Sequence, residues 1–215
     1  MQRCLIGAVA NKQAMPGDTR IVFATGNAGK AREVQQMLGD KVKLVLQAEF
    51  DIEPVEETGT TFEDNALLKA RHAAKISGLP ALADDSGLEV DALAGAPGVY
   101  SARYAGADAS DTDNVDKLLR ELRSVPGPQR AARFCCALAF VRSADDPAPV
   151  IVHGYWEGSI ALETAGQAGF GYDPVFIDAL DNCTSAELDP AVKNVRSHRG
   201  KALQKLVDLL PELRG

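Results

Sequence analysis

Apolar residues fall into short runs and helical stripes, and their alternation gives the first outline of the fold. Residues 21–24 form a run ended by Gly26 and Asn27, which predicts a buried strand. A helix follows with Ala31, Val34, Met37 and Leu38 on one face; Gly39-Asp40 closes it and residues 42–46 return as a strand. Such a β-α-β opening predicts an α/β domain. After an acidic loop over 47–59, Thr60 and Glu63 have capping-box spacing for a long helix reaching Ser77. Its apolar stripe is Phe62, Ala66, Ala70 and Ala73, beside a polar stripe of Asn65, Lys69 and His72. Gly78 and Pro80 stop it.

Residues 81–83 predict a short strand that runs out into Asp84-Asp85-Ser86-Gly87 at its carboxyl edge. Beyond a Gly/Pro loop at 94–98, a polar helix is expected over 111–123. Two long strands, 131–142 and 150–160, form a hairpin. The last helix carries Leu203, Leu206, Val207 and Leu210 on one face, with Ser197 as its cap. These elements predict one α/β domain: an elongated mixed sheet flanked by helices, over 20–215. Residues 1–19 form a loose extension ahead of it.

Composition narrows the partners. With 23 basic against 30 acidic side chains the net charge is −7, which disfavours a nucleic-acid polymer as ligand. No apolar stretch approaches the roughly 20 residues of a membrane helix. The four cysteines form no CxxC pair, so Cys135 and Cys136 are expected as reduced core thiols in a cytoplasmic protein.

Four segments carry candidate chemistry. Thr25-Gly26-Asn27-Ala28-Gly29-Lys30 joins a strand to a helix, where backbone N–H groups favour an anion. It is no P-loop, because Ala24 and Ala31 stand where glycine and Ser/Thr are required. Asp84-Asp85 and Glu56-Glu57 can supply carboxylate oxygens to Mg²⁺, and are equally compatible with polar surface turns. Ser197-His198-Arg199-Gly200-Lys201 places cations in a first helical turn, against the helix dipole, as Lys30 does; a bound anion would account for both. Lys69 and Lys193 are further cations that taken singly read as solvated. In Gly169-Phe170-Gly171-Tyr172-Asp173-Pro174, the flanking glycines suit a ring that stacks on a ligand, or a turn whose aromatics cap the core.

Together these segments resemble the inosine triphosphate pyrophosphatase family of non-standard purine nucleotide hydrolases. The resemblance rests on FATGNAGKAREV, EETGTTFEDNALLKARHAA, ALADDSGLEVDALAGAPGVYSARYAG, GFGYDPVF and SHRGKAL, in the family's order. It implies a two-lobed α/β fold with the active site in the cleft, a homodimer, and Mg²⁺ as cofactor. It implies hydrolysis of ITP, dITP and XTP to the monophosphate and pyrophosphate. Asp85 would be general base and metal ligand, with Glu56 or Glu57 completing the metal site. Thr25, Gly26, Asn27, Ala28, Gly29 and Lys30 would hold phosphates and sugar, Lys69 and Lys193 would face phosphates, and Ser86 would lie beside the substrate. Phe170, Gly171, Tyr172, Asp173, His198 and Arg199 would surround the base. A related pyrophosphatase with another base preference, and a nucleotide-binding protein without turnover, are the competing expectations. No role is assigned to Ser101-Ala102-Arg103-Tyr104.

Overall fold

The computed structural model describes residues 19–38 and 42–209. Residues 1–18 of the extension expected at 1–19, the helix stop at Gly39-Asp40 and the apolar position Leu210 lie outside the described residues. Six strands form one mixed sheet in the order β2-β1-β3-β4-β5-β6, with β1 Thr19–Phe23, β2 Val42–Leu46, β3 Ala81–Val90, β4 Ala131–Val141, β5 Val150–Ile160 and β6 Phe176–Asp178. β1 pairs in parallel with β2, and with β3 only through Val22–Ala81 and Phe23–Leu82. The remaining pairings are antiparallel, as a hairpin of two long apolar runs requires. β1 begins at Thr19, within the stretch expected to belong to the extension.

The α-helices among the described residues are α1 Ala28–Leu38, α2 Phe62–Ser77, α3 Asp111–Glu121, α4 Pro190–Arg196 and α5 His198–Leu209. In α2 the cap is Thr61 rather than Thr60: the Thr61 hydroxyl accepts the Asp64 N–H at 3.1 Å, three residues on as cap geometry demands. Gly78 ends α2 in the left-handed conformation. Ser197 caps α5 as expected, its hydroxyl accepting the Gly200 N–H, although it also ends the short helix α4.

The core divides into three. α1 and α5 cover one face of the sheet, where Phe23, Leu82 and Leu138 meet Val34, Leu203 and Leu206. α2 covers the opposite face, and both surfaces are small: Ala66, Ala70 and Ala73 lie on Ala81, Ala83, Ala137 and Ala139. Alanine against alanine lets the helix backbone approach the strands closely, which brings its polar stripe within reach of β3. A third cluster, with Leu88, Val90, Phe134, Trp156 and α3, fills the far end of the long strands. Cys135 and Cys136 are buried free thiols, and burial pushes both up to about 12, so they remain neutral.

One expectation is corrected here. Asp84, Asp85, Ser86 and Gly87 do not leave a strand of three residues; they sit in the middle of β3, which continues to Val90. The cause is β4: its long apolar run offers ladder partners along the whole of β3, including Leu138 for Asp84 and Ala137 for Asp85. The strand that does end here is β1. Side chains on a strand alternate between faces. Leu82, Asp84, Ser86, Leu88 and Val90 therefore share one face, and Asp84 and Ser86 fall in the gap between the first and third cores. Asp85 points the other way, toward α2.

Candidate active site

Asp84 is buried, with a side chain 1% exposed, and its Oδ2 accepts from Lys30 at 2.9 Å, from Arg199 Nε at 3.3 Å and from Ser86 Oγ at 3.0 Å. Burial alone would raise this carboxyl; Lys30, Arg199 and Lys69 outweigh it and hold it well below the usual carboxylate range. Its Oδ1 is buried without a partner. Arg199 also pairs with Glu33 of α1, and Lys193 reaches both Glu33, at 3.4 Å, and Asp173, at 2.6 Å. Two of the cations expected to work against the helix dipole at α1 and α5, Lys30 and Arg199, thus have carboxylates of the protein itself as partners. Nothing local in the sequence marks Glu33 as turned toward α5.

His198 is buried and stacked on Phe134 at 4.8 Å, and its Nδ1 has no protein partner. Burial, reinforced by Arg199, drives its pKa well below the ordinary value and keeps the ring neutral. The start of α5 comes this close because β5 carries Gly154 beneath it: a Cβ there would stand 1.9 Å from the His198 carbonyl oxygen. Phe170 is half-buried between Gly169 and Gly171, both at positive φ, and its ring lies 5.3 Å from Lys193 Nζ and 5.7 Å from the Arg199 guanidinium carbon. Asp173 accepts the Phe170 N–H, Asp111 accepts the Gly171 N–H, and the Tyr172 hydroxyl donates to the Ser101 carbonyl at 2.9 Å. Phe170, Gly171, Tyr172, Asp173, Lys193, His198, Arg199 and Ser86 all line one cavity.

A second cavity adjoins the first, and Asn27, Lys30 and Ala102 line both. Its walls include Thr25, Gly26, Glu57, Lys69, His72 and Asp84. Lys69 Nζ stands between two carboxylates, 2.7 Å from Glu57 and 2.8 Å from Asp85. The second Asp85 oxygen accepts from Asn65 Nδ2 at 3.2 Å, and the Asn65 carbonyl takes the Gly59 N–H. Burial moves the Asp85 carboxyl above its ordinary value against the pull of Lys69, with Glu57 adding to the rise. For Lys69 burial works against the charge, but Asp85, Asp84 and Glu57 more than offset it and the ammonium is held. Of the two candidate glutamates, the structure brings Glu57 to Asp85, while Glu56 is exposed and makes no ion pair among the described residues. At the start of α1 the Asn27 side chain accepts the N–H groups of Gly29 and Lys30, so the cap itself occupies part of the expected anion site. Ala28 is exposed.

A mixed α/β sheet with a divided polar cleft, one part framed by aromatic rings and buried donors and the other by a lysine between carboxylates, defines a protein built to bind a flat ring joined to a charged tail. Residues 21–209 match the Ham1 family, and the chain belongs to it. It is 57% identical over 196 residues to a dITP/XTP pyrophosphatase of Vibrio cholerae serotype O1, covering 91% of this chain and 98% of the relative. The dITP/XTP pyrophosphatase of Shigella flexneri is 55% identical, covering 89% and 98%. Among solved structures, a HAM1 protein from Coxiella burnetii superposes with a TM-score of 0.83 at 50% identity, covering 90% of this chain and 98% of that one. A nucleoside-triphosphatase / dITP/XTP pyrophosphatase from Mycobacterium abscessus gives 0.71 at 45% identity, covering 89% and 99%.

Proposed function

We propose that this protein hydrolyses the non-standard purine nucleotides ITP, dITP and XTP to the monophosphate and pyrophosphate, clearing them from the nucleotide pool. The observation that carries this reading is the Glu57–Lys69–Asp85 arrangement, set beside a ring-sized chamber in a chain of this family.

The donor set fits Mg²⁺. Glu57 and Asp85 present hard carboxylate oxygens drawn toward a single cation, and the unpartnered Asp84 Oδ1 belongs to a residue lining the same chamber. Among the described residues no group of three or more His, Cys, Asp or Glu side chains forms a closed cage. This agrees with an ion that takes much of its coordination from phosphate and water. Glu57 and Asp85 would hold Mg²⁺, which when bound would supply charge neutralisation to the phosphates. Asp85 takes the proton of the attacking water, and burial, which moves its carboxyl above the ordinary value, strengthens it as a base. Lys30 and Lys69 stabilise charge on the departing group, with the loop from Thr25 to Lys30 positioning phosphate and sugar.

At the other end Phe170 stacks on the base. His198, through a ring N–H, and Arg199 donate to the C6 carbonyl that hypoxanthine and xanthine share. Adenine presents an amino donor at that position. Each buried donor left unpaired costs about 1–3 kcal/mol, so ATP is rejected.

The reading extends to a cytoplasmic homodimer with one domain over 20–215 and no nucleic-acid polymer as partner. The surface that suits a second copy is the open sheet face where the exposed rings of Tyr100 and Tyr155 flank a groove with Arg133 and His153. Among the described residues no helix is long and apolar enough to cross a membrane.

Pyrophosphate release from ITP, XTP, GTP and ATP with Mg²⁺ tests the activity. ITP and XTP are expected to be cut far faster than ATP, and release of orthophosphate, or no turnover, overturns the reading. Kinetics of His198→Ala and Arg199→Ala on ITP and ATP test the base contacts. An unchanged ITP/ATP ratio of kcat/KM would remove both residues from base recognition.

A further inference from the structure

Ser101 to Tyr104 carry no chemistry legible in sequence, yet the helical turn Gly98–Arg103 borders both chambers through Ala102. It is tied down on three sides. Ser101 Oγ accepts the Leu88 N–H of β3 at 2.9 Å and donates to the Gly98 carbonyl at 2.6 Å. Asn114 of α3 donates to the Ala102 carbonyl, and the Tyr172 hydroxyl donates to the Ser101 carbonyl. From this fixed turn Arg103 projects to Glu57: its Nη1 lies 3.2 Å from Oε2, with the guanidinium carbon 5.3 Å from the centre of the Tyr100 ring.

We propose that Arg103 is a positioning residue that orients Glu57 for the divalent cation, a role that rests on the pyrophosphatase reading above. The geometry gives the reason. Lys69 holds Glu57 Oε1 and Arg103 holds Oε2, so the carboxylate is gripped at both oxygens and cannot rotate. Glu57 itself lies in an irregular loop outside helix and strand, and its other anchor, Lys69, is shared with Asp85. Without Arg103 the carboxylate has one tether and must be ordered when the metal binds, a cost that preorganisation removes. Arg103 lines neither chamber, so it acts through Glu57 rather than on the substrate. Its side chain is 35% exposed, so its attraction for Glu57 is screened and competes only weakly with a divalent cation.

The test compares wild type, Arg103→Ala, Arg103→Lys and Glu57→Gln. Mn²⁺ binding to the substrate-free protein is followed by the loss of the free-ion paramagnetic resonance signal. ITP kinetics are measured across a Mg²⁺ titration. Removing a group that orients a metal ligand typically costs 10–100-fold, and the half-exposed site belongs at the lower end: Arg103→Ala should bind Mn²⁺ roughly 10-fold more weakly. Its half-saturating Mg²⁺ should rise in step and kcat should fall, while KM for ITP at saturating Mg²⁺ stays close to wild type. Arg103→Lys should recover most of the loss, which a folding defect would not allow. Mn²⁺ affinity that is unchanged or tighter in Arg103→Ala overturns the proposal. So does an intact kcat with a raised KM, because Arg103 would then touch the substrate. A wild type without Mn²⁺ binding or pyrophosphate release would instead sink the functional reading on which it rests.

Discussion

The two ends of the cleft hold their charges in opposite ways. Behind the ring chamber, the pair of Arg199, which lines it, with Asp84, which lines the adjoining chamber, has side chains only 3% and 1% exposed. At the phosphate end, Glu57 is 26% exposed and Arg103 35%, while the Lys69–Asp85 pair they join is 16% and 9% exposed. Breaking a buried pair strands a charge in a poor solvent, whereas a half-exposed pair regains water when broken. The ring end therefore doubles as structural core, locked in one shape, and the phosphate end is free to trade its ion pairs for a substrate and a metal. Substitutions should separate along that line, with stability lost at one end and turnover at the other.

The largest effect is expected at the phosphate end. Asp85→Asn keeps the size of the side chain but cannot accept the water's proton, and should lower turnover by a factor on the order of 10²–10⁴. Its melting temperature should stay close to wild type. Near-normal pyrophosphate release would move the base elsewhere, with Asp84 and Glu57 the next candidates.

Behind the ring chamber, Asp84→Ala leaves Lys30 and Arg199 facing each other without their shared carboxylate. Removing one partner of a buried pair costs about 3–5 kcal/mol, and urea unfolding should show a loss of that order. A loss under about 1 kcal/mol would mean the pair behaves like a solvated one.

His198 gives a pH-dependent version of the same contrast. It is held neutral in the fold, while in the unfolded chain it takes up a proton below its ordinary value of 6.5. The unfolded chain then binds more protons, so stability is present above 6.5 and falls as pH drops below it. The slope approaches about 1.4 kcal/mol per pH unit. Chemical unfolding between pH 7.5 and 5.5 should show this slope in wild type and a flatter one in His198→Gln. Equal slopes would place the imidazole in contact with water.

The smallest change should come from Lys69→Ala. Substrate binding or turnover should weaken, and the stability loss should stay below that of Asp84→Ala, since Glu57 regains solvent and the buried Asp85 keeps Asn65 as a partner. A loss comparable to that of Asp84→Ala would erase the distinction between the two ends.

Much of this arrangement was legible in the order of residues. Apolar runs bounded by glycine marked β1, the stripe of Ala66, Ala70 and Ala73 marked α2, and two long apolar runs marked the β4–β5 hairpin, because backbone periodicity is local. That same periodicity already put Asn65, Lys69 and His72 on one side of α2, two of which now meet Asp85. The sequence by itself thus determined the elements, the polar stripe and the candidate charged groups. Only the tertiary structure decided their partners. Whether Asp84 and Asp85 leave a strand or lie within one depended on β4, some fifty residues away, and lying within one turned them to opposite faces of the sheet. Glu57 rather than Glu56, Glu33 beneath Arg199, and Arg103 behind Glu57 are all contacts between distant segments. A charged side chain looks the same in sequence whether it meets water or another charge. Its partner is chosen by which surfaces the packing of α1, α2 and α5 on the sheet brings together.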